Sequence, residues 1–66
     1  MNYALAEITH DNLVSFVAEG SYEYLLQEII DLELDKYEIY GIDLSPEEIQ
    51  ADVEALRTDM EDRFAA

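Results

Sequence analysis

SYEYLLQEIIDLELDKYEIYG, residues 21–41, reads as one amphipathic helix closed at both ends. Ser21 is a cap residue, and Gly41 suits the left-handed position past a helix end. At ~100° per residue, Tyr22, Leu25, Leu26, Ile29, Ile30, Leu32, Tyr37, Ile39 and Tyr40 fall on one wide apolar arc. Glu28, Asp31, Asp35 and Glu38 fall opposite, with Tyr24 among them. The spacing predicts a helix over 22–40. Glu33 interrupts it by projecting into the apolar arc, with Lys36 at the arc's edge. A buried carboxylate is costly unless paired, and Lys36 or an arginine of the next helix can serve as its partner.

Downstream, Ser45-Pro46-Glu47-Glu48 spells a helix start: a cap, a proline at the first helical position and a glutamate at the capping-box position. Ile49, Val53, Leu56, Met60 and Phe64 come next at spacings of three and four, giving one narrow apolar stripe over 46–64. Gly41-Ile42-Asp43-Leu44 is short enough to make the two helices antiparallel neighbours. Upstream, Thr9 can cap, Ile8 and Leu13 can form a hydrophobic staple, and Asp11 suits the positive end of a helix dipole. Leu13, Val14, Phe16 and Val17 then give an apolar surface, and Gly20 a stop. These features predict a short helix over 9–19. Residues 1–8 read as coil or a helical lead-in, with a brief strand the alternative. The expected fold is all-α: one three-helix domain spanning 1–66. The arc of the second helix looks wider than its neighbours can cover, so a homodimer is expected.

Size and composition narrow the class. A chain of 66 residues buries only about 60% of the surface it exposes unfolded. It has no cysteine, which excludes disulfides and thiolate metal sites. No basic-then-apolar leader opens it, and no apolar run reaches the ~20 residues of a membrane span. At 50% hydrophobic it is too apolar for a disordered acidic tail. A folded, cytoplasmic protein is expected.

No reaction chemistry stands out, so no enzyme, cofactor or metal is expected. Residues 35–48 place Tyr37 and Ile39 where a calcium loop needs oxygen ligands, and Gly41 comes one position late. Glu7 and His10 have the Glu-x-x-His spacing of a di-iron bundle, but a single copy does not build one. Ser21 and Ser45 are explained as caps. Acid/base work needs a carboxylate held in a cleft; Glu33 is the only candidate by position, and a paired or dimer-facing role accounts for it.

Charge is the outlying property: seventeen acids face three bases, a net −14. Direct nucleic-acid binding is contradicted, because phosphate contacts need lysine and arginine. The opposite role is open. A helix over 22–40 is about 28 Å long. Fourteen net charges along it give roughly one per 2 Å, near the 1.7 Å of duplex DNA. Glu28, Asp31, Asp35 and Glu38, with Asp52, Glu54, Asp59, Glu61 and Asp62, would stand in for phosphates. Tyr24 would be an aromatic anchor, since tyrosine is enriched at binding hot spots. In size, charge and helical character the chain resembles the small phage- and plasmid-borne DNA-mimic proteins that block restriction, CRISPR or recombination enzymes. That resemblance implies a non-enzymatic inhibitor whose partner is a basic nucleic-acid-binding protein. The competing expectation is a helical adaptor that binds a partner helix through Ile49, Val53, Leu56 and Met60. Under a third, the charge serves only hydration in a salt-loving organism.

Overall fold

The computed structural model describes residues 2–65 and is a two-layer α/β fold. In chain order it has β1 (Tyr3–Ile8), β2 (Val14–Gly20), α1 (Tyr22–Asp31), β3 (Tyr37–Tyr40) and α2 (Pro46–Ala65). The strands form one antiparallel sheet of order β2-β1-β3. The all-α expectation is therefore corrected: the described residues form two helices and a sheet.

The first correction is at 9–19, which is not a helix but the turn and second strand of a hairpin. The Asn12 N–H donates to the Thr9 carbonyl (2.9 Å), and the Thr9 N–H donates to the Leu13 carbonyl (2.9 Å). Asn12 has φ 61°, in the left-handed region. This is a three-residue hairpin loop whose last residue is left-handed, where asparagine is tolerated. Threonine, aspartate and asparagine favour helix caps and turns for the same reason: short oxygen-bearing side chains that bond nearby backbone. The residues after the turn decide which one forms. Val14, Phe16 and Val17 are β-branched or aromatic, and the strand that holds them pairs with β1. Gly20 ends this strand instead of stopping a helix.

The second correction is at 22–40. Ser21 does cap, accepting from the Tyr24 N–H at 3.3 Å, but α1 stops at Asp31. The Glu33 N–H donates to the Ile30 carbonyl (3.2 Å) and the Leu34 N–H to the Ile29 carbonyl (3.0 Å). Glu33 has φ 53°. These two bonds with one left-handed residue make a Schellman ending, with glutamate where glycine is usual. Glu33 is thus an exposed end cap and does not intrude on an apolar face. Residues 37–40 then alternate as a strand: Tyr37 and Ile39 share a face with Glu7 and Leu5, while Glu38 and Tyr40 turn to the other side. Glycine reaches φ near 53° without the Cβ conflict that burdens other residues. Glu33→Gly should therefore stabilise the fold by about 1 kcal/mol, seen as a higher urea midpoint.

The last helix is as expected. The Ser45 N–H donates to Glu48 Oε2 (3.1 Å), and the Glu48 N–H donates to Ser45 Oγ (3.2 Å), a reciprocal capping box. Ile49 and Val53 are buried, while Leu56 and Met60 are half-buried. The Phe64 side chain lies outside the described residues.

The core fills the space between one sheet face and the two helices: Leu5 and Ile39 from the sheet, Leu25, Leu26 and Ile29 from α1, Ile49 and Val53 from α2. The sheet thus covers the α1 residues whose exposure had argued for a dimer. The β1–β2 register shifts between Leu5 and Ala6: Leu5 pairs with Ala18 and Ala6 with Phe16, leaving Val17 as a bulge. Val17 and Ala18 pack against the core, while Val14 and Phe16 lie on the face without helices.

Candidate functional site

The acidic residues are unevenly distributed along the chain. Residues 1–20 hold three of the seventeen, Glu7, Asp11 and Glu19, and α2 alone holds seven. At ~100° per residue those seven occupy the half of α2 opposite its buried stripe. Glu47, Glu54 and Glu61 recur every seven residues along one flank. Glu48, Asp52 and Asp59 run along the other, and Asp62 lies between. The strip between the flanks carries Ala51, Ala55 and Thr58, all exposed.

Little neutralises this face. Arg63 pairs with Asp59 at 3.0 Å and Arg57 with Glu54 at 3.9 Å, both in solvent. Exposed pairs of this kind contribute under about 1 kcal/mol. Asp52 is held differently. Tyr22, on α1, donates its hydroxyl to Asp52 Oδ2 at 2.6 Å, tying the two helices together. The tyrosine hydroxyl is pushed far above its ordinary pKa, first by burial, then by the hydrogen bond to Asp52 and the charge of Asp52. It therefore remains a neutral donor. Tyr37 is also raised, by burial and by Glu54 against the opposing effect of Arg57. Tyr40 is raised by its hydrogen bond to Glu38.

These raised values fix the direction of a pH effect. Below pH 10, the ordinary tyrosine value, the phenols are neutral in both the folded and unfolded chain, and their contribution is fully present. Above it the unfolded chain ionises first, so stability falls as pH rises. A tyrosinate absorbance titration should show Tyr22 ionising only as the fold is lost. Tyr22→Phe should remove that late step and cost about 1 kcal/mol for the lost bond.

The other expected phosphate mimics are dispersed. Glu28 is half-buried on α1, Asp31 is its last residue, and Asp35 lies in the turn after it. Glu38 is on β3, on the helix-free face of the sheet. The expected row 28-31-35-38 does not form, because it needed a helix that ends before Leu32. Asp52, Glu54, Asp59, Glu61 and Asp62 do share one helix, and Glu47 and Glu48 extend their set. Tyr24 is 45% exposed, but part of its ring lies against Gly20, where an added Cβ would come within 2.6 Å of Tyr24 Cδ2. The close approach of this ring explains the glycine, and it leaves Tyr24 only partly free as an anchor.

A cleft of about 550 Å³ opens between the second half of α2 and the turn before β3. Glu33, Asp35, Tyr37, Glu54, Arg57 and Glu61 line it, and Arg57 Nε is buried there without a hydrogen-bond partner. It contains no serine, histidine or cysteine. Among the described residues no cluster of His, Asp or Glu side chains is arranged to hold a metal, and no helix is long and apolar enough to cross a membrane. The Tyr22–Asp52 tie had no signal in the sequence, because it joins residues thirty positions apart through helix packing alone. No protein-family model matches the chain, and no curated protein or solved structure is significantly similar to it.

Proposed function

We propose that this protein is a non-enzymatic DNA mimic, whose α2 face occupies the basic nucleic-acid groove of a partner enzyme and excludes its substrate. The observation that carries the reading is the outer half of α2: seven carboxylates on a rigid rod, countered only by Arg57 and Arg63 at its flanks. A 20-residue helix is about 30 Å long, so the carboxylates average roughly one per 4 Å. One DNA strand presents a phosphate every 3.4 Å. Held by a helix and, at Asp52, by Tyr22, the carboxylates lose little freedom on binding. The partner class is a basic nucleic-acid-binding enzyme of a restriction, CRISPR or recombination system, met in the cytoplasm. The adaptor alternative has weaker support, since Ile49 and Val53 lie in the core and only Leu56 and Met60 of its stripe reach the surface.

Affinity capture from bacterial lysate, repeated at low and high salt and with added duplex DNA, tests the proposal. Nucleic-acid-binding proteins should be retained at low salt and released by either treatment. The variant Glu47→Gln/Glu54→Gln/Asp59→Asn/Glu61→Gln should lose them at least about tenfold. Partners that survive salt, DNA and the variant, but are lost in Leu56→Asp, would replace the mimic with the adaptor.

A further inference from the structure

We infer that two copies of this chain join through the free edge of β2, in antiparallel register, to make one continuous six-stranded sheet. The main-chain geometry comes first. Facing residues in an antiparallel pair alternate between bonded and non-bonded. Thr9 and Leu13 are bonded, since the Thr9 N–H donates to the Leu13 carbonyl. Ile8–Val14 is then a non-bonded pair, Glu7–Ser15 a bonded one and Ala6–Phe16 non-bonded again. The Ile8 N–H accordingly points away from β2 and donates to the Lys36 carbonyl on the β3 side, at 3.0 Å. The N–H and carbonyl groups of Val14 and Phe16 therefore point outward along the edge of β2, the outermost strand of the sheet.

The side chains mark the same stretch. Phe16, Leu13 and Val14 are 69%, 64% and 57% exposed, more than any other large apolar residue described. Leu13 and Val14 point to opposite faces, so this end of the strand is bare on both sides and along its edge. Natural sheet edges are usually blunted by lysine, proline or charge. Residues 13–18, LVSFVA, contain none of these. The bulge at Val17 sets the limit of straight pairing at Phe16.

Charge and symmetry identify the occupant as a second copy. Each copy carries −14 and is repelled by the other wherever acids face acids. An uncharged edge is the stretch where two copies meet without opposed carboxylates. An antiparallel edge is also its own complement under a two-fold rotation, which is the condition for a closed dimer. An axis at Ser15 sets the outward N–H and carbonyl of Val14 against those of Phe16 in the other copy, within the straight stretch before the bulge, and brings the two phenyl rings diagonally together on one face of the seam.

Sedimentation equilibrium over a concentration series tests this. The full chain should dimerise, and raising salt from about 20 mM to about 500 mM should tighten the dimer at least tenfold by screening the repulsion between copies. Val14→Pro removes one outward N–H without touching the β1–β2 ladder, as edge prolines do. Phe16→Lys puts a charge on the seam. Both variants should stay monomeric up to ten times the concentration at which the parent is half dimeric, with unchanged far-ultraviolet dichroism. If Val14→Pro misfolds, Phe16→Lys alone gives the answer. A parent that is monomeric at high salt and the highest soluble concentration overturns the inference. So does a dimer that survives in the folded variants.

Discussion

Ile29→Ala is expected to leave most of the chain unfolded at 25 °C. Ile29 is fully buried in the cluster where Leu5 and Ile39 of the sheet meet Ile49 and Val53 of α2. Truncating a side chain at such a site costs about 2–5 kcal/mol: the lost transfer term plus the cavity that remains. Domains below about 70 residues rarely have more than about 3–5 kcal/mol in total from one core. This chain has no cysteine to cross-link it and carries the added burden of −14. The substitution therefore removes about as much stability as the fold possesses. Leu32→Ala is the matched control: Leu32 is 52% exposed at the end of α1 and should change stability by under about 0.5 kcal/mol. Urea unfolding tracked by dichroism distinguishes them. A cooperative Ile29→Ala transition within about 0.5 kcal/mol of the parent would mean that the two layers do not depend on this packing.

That core joins elements of unequal legibility. The last helix could be read because its signals are local: Ser45, Pro46 and Glu48 lie within four residues, and Ser45 and Glu48 bond each other. The Schellman ending could not be read, because its left-handed residue is Glu33 and not a glycine. With that stop hidden, Tyr37, Ile39 and Tyr40 continued the helical arc of α1, although Tyr37-Glu38-Ile39 also alternates as a strand does. Sheet formation was the missing information, and it depends on β1, which lies some thirty residues upstream. The hairpin failed for a related reason. Thr9, Asp11 and Asn12 can begin a helix or close a turn, and the choice rests on whether residues 14–17 find a strand to pair with. The site divides along the same line. Acids on α2 kept the neighbours that a helical projection gives them. Glu38 went to the opposite side of the sheet, because a strand alternates faces at every residue. The uncharged run 13–18 was visible in the sequence, but its meaning as a free edge exists only once β1 is beside it.

Added salt is expected to strengthen the fold, against the usual behaviour of a protein held by ion pairs. Only two ion pairs are present among the described residues, both solvent-exposed on α2, so screening removes little that is favourable. The repulsion among seventeen acids and three bases is what salt weakens. Relief of about 1–2 kcal/mol would raise the melting temperature by roughly 5–15 °C between about 20 mM and about 500 mM sodium chloride, given about 4–8 °C per kcal/mol for a chain of this size. Dimer formation would add its own stabilisation by mass action, so the measurement belongs on Phe16→Lys as well as on the parent. The rise in the variant then reports the monomer's self-repulsion alone. A fall in melting temperature with salt would mean that attractive pairs outweigh the repulsion and that the acidic face is internally compensated. The sign also bears on the mimic. A complex held by α2 carboxylates in a basic groove should dissociate over the same salt range that stabilises the free protein. Loss of binding there cannot be loss of fold, and the two measurements together assign the salt sensitivity to the interface.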